Sequence, residues 1–387
     1  LKLFDEINNF IQLYYFLLLI IYYINLLKMF KIYQRYIINN FLKKFLKVSL
    51  IFLSLTFIMG ILEEINFFKD IKVDFFFPYL LNFLNIPITL FEIFPFIILI
   101  STQLFFYEFF KNNELKLLRL NGLSNLKIVN IIFIISFVIG VFNFIIYYNF
   151  ASMLKFHYSD LKNYLSNDNK YLAMVTESGL WIKDEINGKK YIIKSKLIKN
   201  NHLYENIINE FDNDFKLIRI IQSNEINIIS KKWVIKNPLI STDNINKVIN
   251  GNLELLTNHD YKKIKGIFSN ISTLDIKKLY DLKKDYEKFG YSTDEITIQI
   301  YRLYATPILY GVIALFSMMI IFQISKNRSL LYHIVLGVII SVIVYYINFI
   351  FNSLGNNGKI PINISIFFPL LILLMTSIIG LINVNEK

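Results

Sequence analysis

The sequence predicts an α-helical integral membrane protein with six transmembrane helices and an extracytoplasmic β-sandwich, jellyroll-like domain inserted between helices three and four. Three observations predict it. Of 387 residues, 55% are hydrophobic and only 18% charged, where a soluble domain carries about 25% charged residues. Six apolar runs reach the length of about 20 residues that crosses a bilayer. Between the third and fourth runs lie roughly 150 residues of ordinary soluble composition.

The first strongly apolar stretch, 10–27, precedes the six. The chain opens on Leu1, and Met29-Phe30-Lys31-Ile32-Tyr33-Gln34-Arg35-Tyr36 reads as a natural start, a basic amphipathic lead into a span. Residues 1–28 are therefore read as an N-terminal extension outside the functional fold. An extra span and a signal-like segment are the rivals; the second lacks a basic n-region and an A-x-A cleavage site. The six runs are 45–62, ending at Glu63-Glu64, then 87–106, interrupted by Glu92 and Pro95, then 128–148, 305–324, 330–351 and 362–384. The expected organisation is 29–150 for helices one to three, 151–271 for the β domain, 272–300 for a helical connector and 301–387 for helices four to six.

Loop charges orient the helices. Lys28, Lys31, Arg35, Lys43, Lys44 and Lys47 precede the first span. Lys111, Lys116, Arg119 and Lys127 separate the second from the third, and Lys326 and Arg328 the fourth from the fifth. On the opposite side, Lys69 and Lys72 sit among Glu63, Glu64, Asp70 and Asp74, and Lys359 stands by itself. The basic side is the cytoplasm, so both termini of the six-span fold are cytoplasmic and the insert is outside. The net charge of +12 is then a matter of membrane orientation rather than of nucleic-acid binding.

Within the insert, β-rich runs fall at 171–176, 179–183, 191–196, 207–211, 217–222, 226–230 and 232–235, separated by turn residues such as Asn187-Gly188 and Asp212-Asn213-Asp214. Short strands at spacings of about ten residues suggest a sandwich or jellyroll. After Asn270 the period changes. Ile276, Leu279, Leu282, Tyr286 and Phe289 recur at helical spacing, with Ser272 and Asp275 to start the helix and Gly290 to end it. Ser292-Thr293-Asp294-Glu295 is a second capping signal, launching a helix through Arg302 and Pro307 into the fourth span.

Several chemistries are excluded. With no cysteine there are no disulfides, thiolate metal sites or thiol nucleophiles. His157, His202, His259 and His333 have no ligand spacing, and no nucleotide-binding or hydrolase motif occurs. No catalytic residue, metal or cofactor is expected. Any nucleotide hydrolysis belongs to a partner.

The stretch 111–124 carries the functional signal. It opens polar, forms a short helix bearing Glu114, Leu115, Leu118 and Arg119, breaks at Gly122 and restarts at Ser124 as an N-cap. A short cytoplasmic helix between two spans is a surface for an ATPase to push on. The plainer reading is a solvated loop that serves charge orientation.

Here the chain resembles the LptF/LptG permease family. The resemblance runs through Pro87 and Pro95, then Glu114-Leu115, Leu118-Arg119, Gly122 and Ser124. It continues in Gly179-Leu180-Trp181-Ile182-Lys183-Asp184, in the helix 274–290 followed by Arg302 and Pro307, and in Leu354-Gly355-Asn356-Asn357-Gly358-Lys359-Ile360-Pro361 before Pro369. It covers 29–384, and the stretch 87–95 with Gly179 to Asp184 is more like LptG than LptF.

The resemblance implies a permease subunit of an ABC transporter that extracts lipopolysaccharide from the bacterial inner membrane, with the large domain in the periplasm. The implied partners are a second LptF/LptG-type permease forming a heterodimer, an LptB-type ATPase dimer, an LptC-type periplasmic protein and the lipopolysaccharide. It places Glu114, Leu115, Leu118, Arg119 and Gly122 at the coupling to the ATPase, with both leucines packing into its groove. Lys69 fits a family position for cations that meet the lipid's phosphates. Glu63-Glu64 falls where a lysine is expected and Asp70 replaces another basic residue, so Lys72, Lys155 and Arg302 join the candidates. Rival functions are another ABC permease, for lipoprotein release or efflux, and a membrane assembly or sensor protein without transport.

Overall fold

The computed structural model describes residues 31–69, 73–165, 180–186, 188–199, 201–242, 245–249, 251–259, 261, 264, 271–289, 291–323 and 329–385. Residues 1–28, Asp70, Lys72, Gly179, Gly290, Lys326, Arg328 and the strand expected at 171–176 lie outside them.

Among the described residues, six helices are long and apolar enough to cross a membrane. The first is α1 (Ile32–Phe67) and the second α2 (Phe77–Lys111), which carries Pro87 and Pro95 inside it. A seven-residue helix, α3 (Glu114–Leu120), leads to α4 (Asn125–Phe142). The π-helical turn Asn143–Tyr147 passes into α5 (Tyr148–Leu165), so the third span continues well beyond the apolar run that announced it. The reason is a buried face: Tyr148, Ala151, Ser152, Tyr158 and Lys162 are all buried at helical spacing. Towards the C-terminus come α6 (Ile276–Phe289), α7 (Asp294–Gln323), α8 (Leu330–Asn356) and α9 (Ile362–Asn385). Asp275 starts α6 by accepting from the Lys278 amide at 2.8 Å, as its N-cap position predicts.

Aromatic and small side chains set the helix contacts. Phe41 meets Phe105 edge-on at 6.0 Å, and Phe45 stacks on Phe94 at 6.1 Å, joining α1 to α2. Gly140 of α4 lies against the backbone of Pro307 in α7, where a Cβ would come within 2.6 Å of the Pro307 Cα. At one end Phe322 of α7 contacts Phe106 and Phe110 of α2 at 5.3 and 5.2 Å. Tyr107 of α2 meets His333 of α8 there at 5.4 Å. That end, which also holds α3, is here the α3 end. The other is the sheet end, where α5 leaves for the strands and α7 returns.

The middle of the chain is an antiparallel, curled sheet. Its strands are β1 (Leu180–Ile186), β2 (Lys189–Lys199), β3 (His202–Phe211), β4 (Leu217–Asn227), β5 (Lys232–Lys236), β6 (Leu239–Thr242), β7 (Ile245–Val248) and β8 (Asn252–Leu256). The order is β1-β2-β3-β4-β5-β8, with β6 paired to β4 and β7 to β6. The run expected at 226–230 divides: Ile226 and Asn227 finish β4, and the Asn227 side chain then accepts from the Ile229 amide at 3.0 Å, turning the chain.

The register builds an isoleucine row on the inner face. Ile182 pairs Ile193, Ile193 pairs Ile208, Ile208 pairs Ile221 and Ile221 pairs Ile240. Polar rows flank it. On one side Ser195, Asn206 and Ser223 are buried, and the Asn206 amide donates to the Leu203 and Ser223 carbonyls at 2.9 and 3.2 Å. On the other side Asp184, Tyr191 and Glu210 are aligned, with Arg219 next. Glu210 is fully buried and takes Lys189 at 2.8 Å and Arg219 at 2.5 Å.

Asp184 draws the two ends of the sheet order together. It stands on β1, yet it accepts from the Asn258 backbone and side-chain amides at 2.9 and 2.8 Å, just past β8. His259 Nε2 lies 3.4 Å away. Burial alone would raise the Asp184 pKa, but the nearby His259 imidazole and the bonds from Asn258 outweigh it and hold the carboxyl below its usual range.

Candidate functional site

The short helix α3 is anchored to three spans. Leu115 is buried in the shared core of α1, α2, α4 and α7, and Leu118 packs against that core. The Glu114 carboxylate accepts from the Tyr36 hydroxyl of α1 at 2.8 Å and from Asn112 at 3.1 Å. Arg119 Nε donates to Asn125 Oδ1 of α4 at 2.7 Å. Gly122 has φ +81°, a left-handed conformation that glycine adopts without a Cβ penalty, so the break expected there is real. Ser124 occupies the N-cap of α4 in extended conformation, but its side chain makes no capping bond.

The expected groove-filling pair needs correction. Leu115 and Leu118 face the protein's own helices, because α3 lies on the bundle and uses that side to bury itself. The outward apolar side chains are Leu117 and Leu120, 57% and 75% exposed, with Lys116 and Arg119 also outward.

At the sheet end the candidate cations differ in availability. Lys69 is exposed. Lys72 lies outside the described residues. Lys155 is half-buried, donates to Asn85 Oδ1 at 2.7 Å and lies 4.3 Å over the Tyr158 ring; it is a structural cross-link between α5 and α2. Glu64, which stands where a lysine was expected, is 1% exposed and pairs with buried Lys162 at 2.9 Å. The Tyr158 hydroxyl donates to the same Glu64 oxygen at 2.7 Å, and Lys162 sits 4.3 Å over the Phe67 ring. The acidic residue is there to neutralise a lysine of α5.

Arg302 lines a cavity of about 240 Å³ between α2, α7, α8 and α9. Glu92 of α2 shares it, as do Asn348 and Asn352 of α8. Arg302 and Glu92 are both exposed. Deeper in, Leu99, Leu309 and Ile313 line the wall. Tyr310 and Ser341 are buried there, and their hydroxyls have no hydrogen-bond partner among the described residues. Sequence reasoning named Glu92 and Arg302 separately and missed the asparagines. Polar amides inside an apolar run were the available signal. Among the described residues no cluster of histidine and carboxylate side chains is placed to hold a metal ion.

Residues 35–383, nearly the whole chain, match the family model described as lipopolysaccharide export system permease LptF/LptG. No curated protein matches the chain.

Proposed function

The chain belongs to the LptF/LptG family of lipopolysaccharide export permeases, and we propose that it is one permease subunit of an ABC transporter, paired with a second permease of the same type. In this reading α3 lies on the cytoplasmic side against an LptB-type ATPase dimer. The curled sheet is a periplasmic jellyroll that passes the lipid to an LptC-type protein, and the membrane is the bacterial inner membrane. The subunit is assigned to the LptG branch on its 87–95 and 179–184 stretches.

The observation that carries the mechanism is the triple anchoring of α3. A seven-residue helix has little rigidity of its own. Here Leu115 ties it to the core, Glu114 to α1 through Tyr36, and Arg119 to α4 through Asn125. Movement of an ATPase groove gripping Leu117 and Leu120 is thereby passed to α1, α2 and α4 together. Glu114 also stands in the first turn of α3, where its charge complements the helix dipole.

The reading is tested by purifying the tagged full chain in detergent from its native membrane. The ATPase and a second permease are expected to co-purify, with lipopolysaccharide identified by mass spectrometry. Leu117→Asp with Leu120→Asp should lose the ATPase and keep the second permease. A chain that purifies without either partner overturns the assignment. Retention of the ATPase by the double variant overturns the docking face.

A further inference from the structure

The cavity is graded along the helix axes. At 1.5 Å of rise per residue, Glu92 stands roughly 28 Å of helix from Lys111, Arg302 roughly 31 Å from Gln323, and Asn352 roughly 33 Å from Leu330. Those three ends are gathered at the α3 end by the Phe322 and His333 ring contacts. The charged and amide groups therefore lie about one hydrocarbon thickness, roughly 30 Å, from that side, at the level of a lipid headgroup. Leu99 and Ile313 lie only roughly 18 and 15 Å from it by the same rise, among acyl chains. The cavity is charged at its outer rim and mainly apolar below, where the Tyr310 and Ser341 hydroxyls are polar groups of its wall. Its volume of about 240 Å³ is below the roughly 300–1,000 Å³ of a typical small-molecule site, which suits part of a lipid rather than a whole one.

The rim offers one cation and one anion. Arg302 and Glu92 make no side-chain hydrogen bond or ion pair among the described residues, and an unpaired charge near a bilayer is costly unless something meets it. The neighbouring lysines are engaged, Lys155 with Asn85 and Lys162 with Glu64. A lipid bearing bare phosphates would set its charge against Glu92. A guanidinium takes a phosphate through paired N–H bonds, and a carboxylate takes an ammonium.

We propose that this cavity seats one acyl chain of the exported lipid beneath an ammonium-substituted phosphate, with Arg302 holding the phosphate and Glu92 the ammonium. The proposal rests on the export reading and adds to it the chemistry of the cargo's head.

The test titrates the purified full chain, by native mass spectrometry, with three lipids: lipid A carrying phosphoethanolamine, the same lipid A with bare phosphates, and phosphatidylethanolamine. The substituted lipid A should bind the wild-type chain about tenfold more tightly than the bare form, equivalent to about 1.4 kcal/mol. Glu92→Gln should erase that preference while still binding bare lipid A. Arg302→Gln should weaken both forms, and Arg302→Lys should recover part of the loss. Equal wild-type affinity for the two lipid A forms overturns the proposal whether or not the variants fold. So does a preference that survives in a folded Glu92→Gln chain. Displacement of substituted lipid A by an equal concentration of phosphatidylethanolamine assigns the cavity to bulk phospholipid and overturns it as well. Failure of either lipid A to bind the wild-type chain sinks the export reading together with the proposal, whereas binding without preference sinks the proposal alone.

Discussion

Removing the Glu64 carboxylate tests how the sheet-end half of α1 is held. Most of α1 beyond Val48 is exposed, and Glu64 is its one buried residue there. Glu64 and Lys162 are 1% and 6% exposed and 2.9 Å apart. Breaking a pair this buried leaves a desolvated charge behind, which costs about 3–5 kcal/mol. Glu64→Gln should fall in that range, because the Tyr158 hydroxyl and the Phe67 ring remain to stabilise Lys162 only in part; such a cation–π contact is worth about 2 kcal/mol when desolvated. Replacing both partners, Glu64→Leu with Lys162→Met, removes the charges together and should restore stability to within about 1–2 kcal/mol of wild type. The assay is SDS titration of the purified chain in mixed micelles, followed by far-UV circular dichroism. A Glu64→Gln cost below about 1 kcal/mol, the value of a solvated surface pair, would refute the reasoning. A double variant less stable than both single ones would do the same.

Two further outcomes follow from other contacts. Gly140→Ala should destabilise the chain by about 1–3 kcal/mol through overpacking, since its Cβ would meet the Pro307 backbone at 2.6 Å; an unchanged thermal midpoint in detergent would contradict that fit. The sheet should lose stability in acid. Burial raises the pKa of both Asp184 and Glu210, but the nearby His259 imidazole and hydrogen bonds from Asn258 to the first, and hydrogen bonds from Lys189 and Arg219 to the second, leave both lowered. A depressed carboxylate contributes stability that is present above its unfolded value, about 4, and is lost as the pH falls through the folded one. Fluorescence of Trp233, whose indole donates to the His259 carbonyl at 2.7 Å, should report the loss below about pH 4, and Asp184→Asn with Glu210→Gln should flatten it. An identical melting midpoint at pH 7 and pH 3 would count against the role of both carboxylates.

The spans were legible in the sequence because crossing a bilayer demands a property that local composition records, about 20 apolar residues in succession. The continuation of the third span was less so. Past Tyr148 the helix turns amphipathic, and its buried positions include Ser152 and Lys162, which no apolar count detects. The strands β6, β7 and β8 escaped because they are short and carry residues such as Ser241, Asn246 and Asn252, whose place in a sheet depends on neighbours distant in sequence. The break after α3 could be foreseen from Gly122; which leucines face outward could not. Leu115 and Leu117 are equally apolar, and their roles are set by where α3 lies on α2.

The amino-acid order by itself determined the six crossings, their orientation signal, the β-rich insert and the family, since each rests on local pattern or on motifs in order. The tertiary structure alone decided the pairings. It joined Glu64 to Lys162, turned Lys155 from a free cation into a cross-link, and brought Glu92 and Arg302 to one rim. Those partners stand far apart along the chain, and the energy of a charge in a low-dielectric setting is set by what folding places beside it.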